Sequence, residues 1–101
     1  MSDWSAYYDF DGEPISQVEW ARLMGQWPKR QVAVTVFDGV EVSTVWIGLD
    51  VGLENESPLI FETMIFGGPY DHWRWRHPTR EAALAGHDQA TALVRDSLHR
   101  V

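Results

Sequence analysis

Four histidines, His72, His77, His87 and His99, are the side chains best suited to hold a metal or move a proton in this chain of 101 residues. Their spacing argues against a shared ion. No two stand at the one-turn interval that sets a pair of imidazoles on one helix face. His77 follows His72 by five positions on an expected strand, so alternation sends the two rings to opposite sides. His87 falls near the inner line of an expected C-terminal helix, where a hydrogen-bonded core histidine is the better reading. Asp9-x-Asp11-Gly12 with Glu13 echoes the opening of a calcium loop, but no bidentate Glu follows at the twelfth position. The glycine motifs of phosphate loops, dinucleotide folds and nucleophile elbows are absent. Ser43 and Thr63 have no base positioned for them, and the carboxylates are scattered rather than paired for acid–base work. No catalytic residue, metal or cofactor is expected, and the chain reads as a non-enzyme.

Arg74 and Arg76, two apart on an expected strand, point the same way and suit a phosphate or carboxylate clamp. The competing reading is a cross-strand ion pair of Arg76 with Glu62, a weak contact if exposed.

Charge narrows the partners. The formal net charge is -7. Residues 1–21 carry five acids and no Lys or Arg, and Gln31 to Trp73 carry seven acids and again no Lys or Arg. Such a field repels phosphate backbones, so direct nucleic-acid binding is not expected, although mimicry of nucleic-acid charge stays open. Zero cysteines leave no disulfide or thiolate chemistry and fit a reducing cytoplasm. The N-terminus lacks the basic and apolar regions of a signal peptide, and no apolar run is long enough for a membrane span.

The elements that must position these groups are legible as a single α+β domain over residues 1–101, with 1–6 a loose tail. Tyr7–Phe10 reads as a short extended segment turning at Asp11-Gly12. Ser16-Gln17-Val18-Glu19 is a capping box, with Ile15 and Trp20 at staple spacing. A first helix then runs from about Gln17 to about Gly25, with Trp20, Leu23, Met24 and Trp27 on its apolar face. Gln31–Leu49 reads as a hairpin about Asp38-Gly39, which sets Phe37 opposite Val40, Val36 opposite Glu41, Val34 opposite Ser43 and Val32 opposite Val45. After a polar loop, Leu59–Phe66 is the central strand. His72–His77 returns beside it, with Ile65 facing Trp73 and Glu62 facing Arg76. Thr79 caps a second helix from about Arg80 to Arg100.

The economical assembly is a four-stranded antiparallel β-meander with the N-terminal and C-terminal helices packed on one face. The expected covered face holds Val32, Val34, Val36, Val45, Phe61 and Trp73. The expected uncovered face holds Val42, Thr44, Trp46, Ile60, Glu62, Met64, Phe66, Arg74 and Arg76. That set is too apolar to stand bare in water, which points to a homodimer, to a different protein or a small ligand, or to the N-terminal segment folding over it. In the ligand version Trp46, Trp73 or Trp75 stacks a nucleotide base while Arg74 or Arg76 holds phosphate.

Four phrases carry a resemblance: Y-Y-D-F-D-G-E-P-I-S-Q-V-E-W-A (Tyr7–Ala21), V-S-T-V-W-I-G-L-D (Val42–Asp50), P-L-I-F-E-T-M-I-F-G-G (Pro58–Gly68) and E-A-A-L-A-G-H (Glu81–His87). Across most of its length the chain resembles small accessory proteins encoded by tailed phages of actinobacteria and related prophages. It departs from them in H-W-R-W-R-H, where more ordinary strand residues would be expected. The resemblance implies an accessory phage product acting in the host cytoplasm by binding a host protein, and supplies no active site.

Overall fold

The computed structural model describes residues 6–50 and 58–98 of the chain. The first five residues of the expected tail, residues 51–57 of the expected polar loop and the expected last turn at 99–101 lie outside the described residues. Helix α1 is Gln17–Met24 and α2 is Trp27–Arg30; strands β1 Gln31–Phe37, β2 Val40–Trp46, β3 Phe61–Phe66 and β4 Arg74–His77 follow, then helix α3 Arg80–Leu98. The strands form one antiparallel sheet in the order β1-β2-β3-β4, with the helices packing against it. This is the α+β meander expected from the pattern. No described helix is long and apolar enough to cross a membrane.

Local chemistry explains the elements. The Ser16 hydroxyl accepts from the Glu19 amide at 3.1 Å and opens α1. Glu19 does not complete a capping box; its carboxylate takes the Arg22 guanidinium one turn on, with a 3.0 Å bond from Nε. Trp27 leaves the expected apolar face of α1 and lies exposed in α2, with the Arg30 guanidinium 5.2 Å from its ring centroid. Asp38 and Gly39 both take positive φ, 52° and 78°, and make the tight turn between β1 and β2. His72 takes φ 71° opposite Ile65, whose carbonyl accepts from the His72 amide while its own amide donates to Trp73. That one-residue bulge starts β4.

The hairpin register holds near its turn but not at its base. Phe37↔Val40, Val36↔Glu41 and Val34↔Ser43 pair as expected, yet Gln31, not Val32, stands opposite Val45. Val32 is an extra residue in the ladder, and its side chain joins the core around Trp46.

The larger correction concerns which side faces the helices. Across β2 and β3 the partners are Val42↔Ile65, Thr44↔Thr63 and Trp46↔Phe61. The covered face therefore carries Thr35, Phe37, Val40, Val42, Thr44, Trp46, Phe61, Thr63, Ile65, Trp75 and His77. Val34 and Val36, expected inside, are outside. Glu41 and Ser43 decide this, because they share the face of those two valines. Exposing the valines forgoes roughly 2 kcal/mol each at most; burying an unpaired carboxylate costs more.

Two apolar clusters make the core. One joins Leu23, Trp46, Ile60, Phe61 and Ala83, with Phe10, Trp20 and Val32 against them. The other joins Val40, Val42, Ile65, Ala90 and Val94.

Candidate functional site

The nine residues expected on one exposed face are divided by the structure. Val42, Thr44, Trp46 and Ile60 are buried. Trp46 is 0% exposed, its indole N–H donates to the Asp9 carbonyl at 2.9 Å, and the Phe10 ring lies 4.5 Å away. Gly48 lies against that indole so closely that a Cβ there would meet a ring carbon at 2.1 Å. Ile60 alternates with Glu62 in sequence but precedes β3, and it folds into the Trp46 cluster while its carbonyl accepts the Ile47 and Gly48 amides.

Glu62, Met64, Phe66, Arg74 and Arg76 do share the outer face. The register sets them beside β2 and β1 in three rows: Val36, Glu41 and Phe66; Val34, Ser43, Met64 and Arg74; Gln31, Val45, Glu62 and Arg76. Val36 is 65% exposed, Val34 45% and Phe66 40%. Arg76 Nε donates to Glu62 at 3.0 Å, so the ion pair prevails over a paired arginine clamp. Arg74 is exposed and makes no ion pair with a described residue. Of the three tryptophans expected to stack a nucleotide base, Trp46 is sealed and Trp75 alternates to the face opposite Arg74 and Arg76, while Trp73 is 52% exposed.

Between the apolar clusters runs a chain of hydrogen bonds that the sequence pattern only hinted at through His87. Thr35 Oγ1 meets His87 Nε2 at 2.9 Å, and His87 Nδ1 meets Thr44 Oγ1 at 2.8 Å. Thr44 Oγ1 meets Thr63 Oγ1 at 2.6 Å, and Thr63 Oγ1 meets His77 Nε2 at 3.0 Å. Every strand and α3 contribute one member. Threonine suits the place because its branched Cβ favours the strand while its hydroxyl both donates and accepts. With both imidazoles neutral, the protons can run in either direction along the chain, leaving no gap. Two imidazolium ions would aim N–H groups at both ends of the Thr44–Thr63 pair, and one hydroxyl proton would lose its acceptor. Burial lowers the pKa of both histidines below the ordinary value; for His87, Asp88 opposes this in part. Paired threonines on adjacent inward positions were the signal available in the sequence.

His77 also borders an opening. A cleft of about 290 Å³ lies between β4 and α3, lined by Trp75, His77, Gly86, Gln89, Ala90 and Leu93. Gly86 is required there, since a Cβ would come within 2.2 Å of His77 Cε1. Asp9 serves a turn: its Oδ1 accepts the Asp11 and Glu13 amides, each at 2.9 Å. Among the described residues no three His, Asp or Glu side chains are grouped to hold a metal.

No protein-family model, curated protein or solved structure matches the chain.

Proposed function

We propose that this chain is an interaction protein that binds another protein through the outer face of its sheet. One observation carries the reading: Val34, Val36 and Phe66 are exposed together on a face that carries Arg74 and the Glu62–Arg76 pair. Exposed apolar side chains interleaved with charged ones, Glu41 standing between Val36 and Phe66, give this face the mixed composition of a docking patch. The acidic balance of the chain favours a basic partner surface and fast association with it. In the setting that the sequence resemblance implies, the chain is a phage accessory product and its partner a protein of the host cytoplasm. A homodimer would use the same patch, with two sheets stacked face to face.

The test compares wild-type bait with Val36→Glu in affinity purification from an actinobacterial host lysate, beside light scattering of both proteins. The expected result is one host protein recovered in stoichiometric amount by the wild type and lost with Val36→Glu. Recovery of the same protein by both baits would remove the outer face from the interaction. A wild-type dimer that becomes a monomer on Val36→Glu would assign the patch to self-association.

A further inference from the structure

The last strand of the sheet has a neighbour on one side alone among the described residues. The Ile65 amide donates to the Trp73 carbonyl, and antiparallel pairing then alternates along the strand. Trp75 and His77 turn their backbone groups toward β3, while Arg74 and Arg76 turn theirs to the open side. The cleft beneath that edge is apolar at Trp75, Ala90 and Leu93 and polar at His77 and Gln89. Trp73, 52% exposed, stands beside Trp75 in an edge contact, their ring centroids 6.2 Å apart. An unpaired edge strand beside a helix-walled cleft is the geometry for strand addition, in which backbone bonds hold a peptide and alternate side chains fill the cleft.

The side chains of β4 select among occupants. In an added strand, residues opposite Trp75 and His77 point into the cleft, and those opposite Arg74 and Arg76 point to the outer face. Arg76 is already held by Glu62, whereas Arg74 has no such partner among the described residues. A second copy of the chain is a poor occupant, because two antiparallel β4 edges would set Arg74 of each copy near Arg76 of the other. Like charges on an edge strand oppose self-pairing. The net charge of -7 opposes a long acidic run, so the complement is a single carboxylate among apolar residues.

We propose that the open edge of β4, with the cleft between β4 and α3, binds an extended peptide segment of another protein, with an apolar side chain in the cleft and a carboxylate against Arg74. This site shares Arg74 with the outer-face patch but takes its occupant along the β4 edge and in the cleft, and it goes beyond that reading.

Selection from a displayed library of randomised heptapeptides, followed by titration of the best synthetic peptide, tests it. Enriched sequences should place Asp or Glu next to Leu, Ile, Val or Phe. Leu93→Glu and Arg74→Glu, both checked for an unchanged melting transition, should each weaken the peptide at least tenfold. N-methylation of peptide amides in one alternating register should abolish binding, and in the other register should leave it intact. Val36→Glu should leave the peptide affinity unchanged. The proposal falls if no sequence is enriched over the displayed Gly/Ser control, if Leu93→Glu has no effect, or if both N-methyl registers behave alike. A peptide lost with Val36→Glu but kept with Leu93→Glu would overturn this site while leaving the outer face in place.

Discussion

On the inner face of the sheet Thr35, Thr44 and Thr63 lie beneath α3, and on the outer face Val34, Val36 and Phe66 stand exposed. Hydrophobicity alone would exchange them. The inner threonines are tolerated because each hydroxyl meets an imidazole or another hydroxyl, so burial removes water without stranding a polar atom. The outer valines are displaced by their neighbours, since their face also carries Glu41 and Ser43. Satisfaction of polar groups, more than the count of apolar ones, chooses the side.

Breaking the inner chain at its centre should show the largest effect. Thr44→Val keeps the shape but leaves His87 Nδ1 without its partner and takes one bond from Thr63. A loss of about 3 kcal/mol is expected in urea unfolding, against less than about 0.5 kcal/mol for Ser43→Val on the other face. Gly86→Ala comes next. In most helices that change stabilises by about 1 kcal/mol. Here the new methyl meets the His77 ring, and a net loss of about 2 kcal/mol is expected. A gain in melting temperature would show that His77 is not held against α3.

The inner face should also register acid. Burial lowers the pKa of His77 and His87 in the folded chain, so the unfolded chain binds more protons as pH falls through about 6.5. Their contribution to stability is complete above that pH and declines below it, down to the folded values. The urea midpoint should therefore drop between pH 7.5 and pH 5.5; a flat or rising midpoint would contradict the buried neutral chain. Thr91 supplies the opposite case. Its hydroxyl is buried and has no hydrogen-bond partner among the described residues. Thr91→Val should stabilise by about 1 kcal/mol in the same assay, where Thr44→Val destabilises.

Much of this division was legible in the sequence. The Asp38-Gly39 turn, the pairing of Glu62 with Arg76 and the buried position of His87 follow from turn chemistry and alternation. The choice of face did not, because β2 offers valines at Val40, Val42 and Val45 on both of its sides. The decisive residue is Glu41, whose pairing with Val36 is readable in the sequence but whose outward placement follows from the cost of burying a carboxylate. The bulge at Val32 shifted the base of the hairpin, and bulges of this kind have no strict sequence mark. The full hydrogen-bond chain was out of reach as well, since it joins five residues that only the register of all four strands and the docking of α3 bring together.

The smallest expected effect sharpens the comparison most. Thr35 and Val36 are neighbours in β1, one inside and one outside, and both are β-branched. Val36→Thr should change stability by less than about 0.5 kcal/mol, since its side chain is 65% exposed and a hydroxyl there finds water. Thr35→Val removes the partner of His87 Nε2 and should cost about 1 kcal/mol or more. Strand propensity barely differs between the two residues, so the gap between the variants isolates hydrogen-bond satisfaction from backbone preference. Equal losses in the two unfolding curves would mean that the sides of this sheet are set by shape alone.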